Sequence, residues 1–322
     1  MEEVVSEEEP PGGTPFFKAT RLGKQLNLDN LFVKFEGANT TGTQKDRISR
    51  LHVRNAIEGG FDTVSVATCG NYGASISHYA SLNGVRSVVG IPEGYSNSRL
   101  DEIRRNGSEI LTIPGRYEEA VEYMSRLAGA EAWYDSNPGS PNASADISGY
   151  ETIAYEIVEQ LGHPPEFVAV PVGNGTTLSG IFSGFRRMKR DGAISDLPRM
   201  VASSTSNGNP VVDSWNRGSR KVIDLNPETI HETAVNEPLI AYRAIDGQNA
   251  LDAIYESRGM AFYVSDFDMV RYSRIAEDLE SLSVLPASAS TIAAAHSRLG
   301  NCCRGSEIVV VLTGRNQIWT TR

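Results

Sequence analysis

An α/β fold is predicted by two patterns in the sequence. Short apolar runs rich in β-branched residues alternate with helical stretches, and those runs carry apolar residues on both faces instead of at every second position. Strands buried on both faces belong to a parallel sheet covered by helices on either side. A third observation sets the scale: 322 residues with 40% hydrophobic and 22% charged content allow a sizeable core, in two domains or one large one.

In chain order, "LFVKF" (31–35) precedes a helix starting near Thr43, where Thr43 is the expected N-cap and Asp46 the acidic residue three places on. "TVSVATC" (63–69) leads into a helix through "ASISHYASLNG" (74–84), and "SVVGIP" (87–92) into "SRLDEIRRNG" (98–107). "EILTIP" (109–114) is followed by "YEEAVEYMSRLAG" (117–129), whose acidic pair reads as a solvated helix face. The stretch 135–149, "DSNPGSPNASADISG", is rich in Ser, Pro, Asn and Gly and reads as a linker or surface loop. A second block then opens on "YETIAYEIVEQLG" (150–162). It continues with "FVAVPVG" (167–173), "TTLSGIFSGFRRMKR" (176–190) and, near the end, "EIVVVLTG" (307–314). The region 206–250 is polar and gives no periodic signal. His78, in mid-helix, reads as a core or interface residue.

A net charge of −10 argues against nucleic acid as the main partner, because phosphate backbones need a basic patch. It leaves room for a local anion site made of backbone N–H groups. No apolar run reaches the ~18–20 residues of a membrane span. The acidic start "MEEVVSEEEPPGG" lacks the layout of a signal peptide and reads as a frayed tail. Three cysteines (Cys69, Cys302, Cys303) without CxxC spacing suggest neither a disulfide framework nor a zinc site, and no metal is expected. The expected location is cytoplasmic.

Three segments carry candidate chemistry. The first is "GANTTGTQKDRISR" (37–50), which sets Lys45 in the first turn of a helix. The dipole disfavours a cation there by about 0.3–1 kcal/mol, and with burial it makes a free amine available as a nucleophile. A solvated lysine that tolerates the dipole is the ordinary alternative. The second is "VATCGNYGAS" (66–75), where Gly70 and Gly73 let a ligand approach while Thr68, Asn71 and freed N–H groups offer donors. An ordinary strand–turn–helix connection explains it equally well, with Cys69 as a packing residue. The third is "VPVGNGTTLSG" (170–180), a glycine turn with two threonines at a helix start, which is physically a phosphate cradle. It lacks the Gly-Lys-Ser/Thr of a Walker loop. Leu178 stands at the third glycine position of a dinucleotide fingerprint, and "MVASSTS" (200–206) has no acid for a ribose, which argues against an NAD-type oxidoreductase. A lysine amine, an Asn-bearing anion turn and a lysine-free phosphate loop together are what a pyridoxal phosphate site requires.

With these residues in view, the sequence resembles the fold-type II pyridoxal phosphate enzymes of the tryptophan synthase beta superfamily, and among them the threonine synthase-like branch. "EGANTTGTQKDR" (36–47) is similar to the family's "EGxNPTGSFKDR", and "TCGNYGAS" (68–75) to "SSGNxxAS". "PVGNGTT" (171–177) is similar to "PVGNxGN", and "VVVLTG" (309–314) to "VVLTG". The segments occur in family order, and weaker similarity ("TPFFKATRL", "NEPLIAYRAI", "LPASASTIAAA") extends over most of the chain.

The resemblance implies two three-layer αβα domains with mainly parallel twisted sheets and pyridoxal 5'-phosphate in the cleft between them. Residues 1–50 and 148–322 would form a large cofactor-binding domain, and 51–147 a smaller mobile one. It implies that Lys45 forms the Schiff base and moves protons, that Asn71 bonds the ring oxygen, and that Gly173, Asn174, Gly175, Thr176 and Thr177 hold the phosphate. Thr313 would meet the pyridine nitrogen. A hydroxyl there makes the ring a weaker electron sink and favours elimination or replacement over transamination. Thr68, Cys69, Gly70 and Tyr72 would close on the carboxylate of an amino-acid substrate.

A homodimer is implied as well. The implied activity is β/γ-elimination or replacement on an amino acid, with conversion of O-phosphohomoserine to threonine foremost. A serine/threonine dehydratase and a β-replacement enzyme of the cysteine or cysteate synthase type stand beside it. Departures from the pattern are Gln44 before the lysine, Leu285 where glutamate is usual, and no arginine in 137–157. Gln44 and Leu285 also motivate the reading of a silent binding subunit.

Overall fold

The computed structural model describes residues 10–68, 70–94, 98–300, 303 and 305–316. The chain folds into two compact units, a smaller one with residues 39–149 and a larger one with 13–38 and 150 onward. It begins the larger unit with β1 (Phe16–Lys18), α1 (Thr20–Leu26) and β2 (Leu31–Phe35). It builds the smaller from α2 (Lys45–Glu58), β3 (Thr63–Ala67), α3 (Asn71–Leu82), β4 (Arg86–Pro92), α4 (Leu100–Arg105), β5 (Glu109–Ile113), α5 (Tyr117–Ala130) and β6 (Tyr134–Asp135). Helix α6 (Ser144–Leu161) starts in the smaller unit and ends in the larger. The larger is completed by β7 (Phe167–Pro171), α7 (Thr176–Arg190), β8 (Arg199–Thr205), α8 (Pro210–Asn216), α9 (Gly247–Glu256), β9 (Met260–Val264), α10 (Asp266–Glu280), α11 (Pro286–Ala294) and β10 (Ile308–Leu312).

In the larger unit the strand order is β1-β2-β10-β7-β8-β9, parallel throughout except for the β1–β2 pair. Alternate side chains Leu31, Val33, Ala169, Val201, Val310 and Leu312 join one core cluster with α1, α10 and α11. The residues between them, such as Val168, Val170, Ala202, Val309 and Val311, are equally buried under the opposite helix layer of α7, α8 and α9. Both faces of the sheet are therefore dry, which is why these strands read as continuous apolar runs.

The smaller unit has the all-parallel order β5-β4-β3-β6. Helix α3 covers one face, with α2 and α4 packed against it, and α5 covers the other. Gly90 in β4 shows how close α5 comes: a Cβ there would lie 2.5 Å from Met124 Cγ. The segment 39–50, expected with the larger domain, lies in the smaller unit because α2 packs on α3.

Three local expectations change. The stretch 135–149 is a surface loop only in its middle, where Gly139, Pro141 and Ser144 are exposed. Asp135 and Asn137 are buried, Asn137 Oδ1 accepts from the Ala67 N–H at 2.7 Å, and α6 begins at Ser144. Glu118 is buried instead of solvated, while Glu119 accepts the Arg116 N–H at 2.8 Å and caps α5. The featureless region 206–250 contains α8, capped by Asn209 ahead of Pro210, and the start of α9. Among the described residues no helix is long and apolar enough to cross a membrane.

Candidate active site

The chain leaves β2 through a short turn and a loop of small polar residues, and α2 opens on Lys45. Gln44, which flanks the helix, already has helical angles (φ −58°, ψ −16°) and offers no side-chain cap, so the capping role falls to Thr43 as expected. The Thr43 Oγ1 accepts the Lys45 N–H at 3.3 Å. Asp46 does not close a capping box. Fully buried, it reaches back to the Thr41 N–H (2.7 Å) and the Thr41 hydroxyl, and accepts the Ser75 hydroxyl at 2.6 Å from α3. Burial pushes its carboxyl above the usual range, and the bonds from Ser75 and Thr41 oppose that shift. Asp46 thus ties the loop before the lysine to the helix after the anion turn. Asp46→Ala strands three donors, and a loss of about 3 kcal/mol is expected in urea unfolding.

Lys45 is half-buried, and its Nζ lies 5.0 Å from the centroid of the Tyr72 ring. Tyr72 is held in place by its hydroxyl, which donates to the Ser136 carbonyl at 2.9 Å. After β3, the Thr68 Oγ1 accepts the N–H of Gly70 (3.0 Å) and of Gly73 (3.3 Å), folding the turn around one hydroxyl. Gly70 sits at φ 144°, a conformation that disfavours a side chain. Helix α3 then begins at Asn71, whose Oδ1 accepts from Arg99 Nη1 at 2.9 Å. Lys45, Thr68, Gly70, Asn71 and Tyr72 all belong to the smaller unit, and Cys69 lies outside the described residues.

The remaining candidates belong to the larger unit. Strands β7 and β10 are parallel neighbours, so the 172–175 loop and Thr313 leave the sheet at adjacent carboxyl ends, where ligands of α/β sheets bind. Gly175 caps α7 with φ +96°. Among the described residues, no hydrogen bond engages the N–H groups of Gly175, Thr176 or Thr177, which point from the positive end of a 15-residue helix. The Thr176 hydroxyl donates to Asp246 Oδ2 at 2.6 Å, and the Asn174 carbonyl accepts the Asp246 N–H at 3.2 Å. Asn209 Nδ2 donates to the carbonyls of Val172 (3.2 Å) and Gly173 (3.0 Å), holding the loop from behind. Thr313 Oγ1 lies 2.7 Å from the hydroxyl of buried Ser288 on α11, and the Leu285 N–H donates to the Gly314 carbonyl at 2.9 Å. These arrangements provide an amine beside an anion turn in one unit, and an anion cradle with a backed hydroxyl in the other.

Sequence reasoning missed Arg99, Asp246, Asn209 and Ser288. The Asn-Pro pair at 209–210 signals a helix cap but not a contact with a distant loop. Arg99 and Asp246 stand in polar stretches that carry no signal of their own.

Comparison with known proteins gives a consistent picture. Residues 8–314 match the model of a family described as pyridoxal-phosphate dependent enzyme. The chain is 34% identical to the threonine synthase of Methanocaldococcus jannaschii over 308 residues, covering 94% of this chain and 74% of the relative. It is 30% identical to that of Mycobacterium tuberculosis over 306 residues, covering 94% and 81%. In fold it is similar to maize serine racemase (TM-score 0.78, 20% identity, 94% and 88% covered). It is also similar to threonine deaminase isoform 2 of Solanum lycopersicum (TM-score 0.76, 17% identity, 99% and 96% covered).

Proposed function

The chain belongs to the pyridoxal-phosphate dependent enzyme family, and from that premise we propose that it is a threonine synthase-like lyase. The reaction takes O-phosphohomoserine and water to threonine and phosphate. One observation carries the choice of reaction: relatives named threonine synthase match nearly the whole chain at 30–34% identity.

Pyridoxal phosphate, when bound, links through its aldehyde carbon to amines and withdraws electrons from the carbons of an attached amino acid. The residues present fit it. Of the chain's six lysines, Lys45 is the one that opens a helix, with its ammonium over the Tyr72 ring. The N–H groups at the head of α7 have the chemistry of a phosphate site. In this reading Lys45 holds the cofactor and carries protons to and from substrate carbons. Asn71 donates to the ring oxygen, and Thr68, Cys69, Gly70 and Tyr72 receive the substrate carboxylate. Gly173, Asn174, Gly175, Thr176 and Thr177 hold the phosphate. Thr313, backed by Ser288, would offer its hydroxyl to the pyridine nitrogen. A homodimer and a cytoplasmic location complete the proposal, to be checked by light scattering and cell fractionation.

The test is direct. Protein incubated with pyridoxal phosphate is expected to turn yellow and to release phosphate from O-phosphohomoserine as threonine accumulates. Ammonia and a 2-oxo acid from serine or threonine, without that phosphate release, assign a dehydratase instead. A protein that stays colourless overturns the reading altogether.

A further inference from the structure

We propose that Arg99 is a positioning residue that sets which end of the Asn71 amide faces the cofactor. The inference rests on the functional reading above for the identity of the ligand, and on geometry within the smaller unit for the rest.

Arg99 is 4% exposed, although it lies in the polar stretch just before α4. Its Nε donates to Glu102 Oε2 at 2.9 Å, and its Nη2 to Glu102 Oε1 and to the Thr41 carbonyl, both at 2.8 Å. Its Nη1 donates to Asn71 Oδ1 at 2.9 Å. A guanidinium has five N–H donors and no acceptor. At least four of the five are thus committed to the protein itself, and through them this buried cation holds three segments together. Those segments are the loop before Lys45, the anion turn and the first turn of α4.

The consequence falls on Asn71. A side-chain amide has a carbonyl end that accepts and an NH2 end that donates, and its two orientations differ little in shape. Because the guanidinium only donates, the end that faces Arg99 must be the carbonyl. The NH2 end is then the one turned to the ligand, where an anionic ring oxygen needs a donor. Glu102, paired bidentately, fixes the plane of the guanidinium and so the direction of the Nη1 bond. The Thr41 bond links the same guanidinium to the loop that carries Lys45. A lysine in place of Arg99 is a point charge without the planar fork, and cannot keep this geometry.

The experiment is a double-mutant cycle on cofactor binding, read by absorbance titration of the apoprotein with pyridoxal phosphate. Arg99→Lys is expected to raise the dissociation constant about tenfold and to shift the visible band, since the ring oxygen loses its oriented donor. In an Asn71→Ala background the same change is expected to alter the constant by less than about twofold, because the group through which Arg99 acts is gone. Equal effects in both backgrounds, or an unchanged constant and band in Arg99→Lys alone, would overturn the proposal. If circular dichroism shows Arg99→Lys to be unfolded, Glu102→Gln replaces it: a weaker binding that vanishes with Asn71→Ala supports the assignment, and no change in either background sinks it. Wild-type protein that binds no cofactor refutes the functional reading, whereas a wild type that binds while the cycle shows no coupling refutes only the role of Arg99.

Discussion

Lys45→Ala is expected to give a folded, colourless protein whose turnover falls by at least about 10³-fold. Two losses combine: the amine that attaches the cofactor, and the group that carries protons, itself worth about 10²–10⁴-fold in enzymes generally. Stability should change little, since the side chain is half-buried and stands at the start of α2 rather than in its core. Borohydride reduction of the wild type followed by peptide mapping should place the label on Lys45. The competitor to consider is Lys34, which is fully buried in the larger unit. Its ammonium, however, donates to the Thr14 carbonyl (2.8 Å), Glu156 (2.6 Å) and Gln160 (2.7 Å), which leaves it committed to structure. A label on Lys34, or normal turnover in Lys45→Ala, would refute the assignment.

The second large effect is expected at Gly175. At φ +96° any side chain is strained, by about 1–3 kcal/mol. An added Cβ would also lie 2.8 Å from Ala250 Cβ and 3.0 Å from the Asp246 carbonyl. Relief requires either α9 to move or the loop to unwind, and unwinding redirects the N–H groups that head α7. Gly175→Ala should therefore weaken cofactor binding by about 100-fold while lowering stability by about 2–4 kcal/mol. The two readouts are an absorbance titration and a thermal melt. Binding within twofold of wild type would show that the 173–177 loop does not hold the phosphate.

Much of the fold was legible because its strands are buried on both faces. "LFVKF" is β2 residue for residue and "TTLSGIFSGFRRMKR" is α7, since a run bounded by turn residues leaves little choice of register. What escaped notice had a physical reason. Helix α11, "PASASTIAA", is buried almost all round, so its small residues show no polar face and no period. Strand β1 has three residues and pairs antiparallel at an edge. The first residues of the stretch 135–149 misled because Ser136 and Asn137 bond the backbone of β3 instead of water. In the candidate site, Lys45, Asn71 and the 173–177 loop were readable from glycine and helix-start chemistry. Their supports Arg99, Asn209, Asp246 and Ser288 were not, because a supporting contact depends on residues 25 to 70 places away in sequence.

The position of β10 has a consequence for how the chain is made. It sits in the middle of the larger sheet, with Ile308 paired to both Leu31 and Phe167, yet it follows every other strand of that sheet in the described chain. While the ribosome is still upstream of residue 308, β2 and β7 have no strand between them, and their facing edges are open to wrong partners. The smaller unit draws its sheet from 63 to 135 and can close early, whereas the larger must wait for residues 308–312. Nascent chains halted before 308 should thus hold one protease-resistant unit, with the other protected only on release.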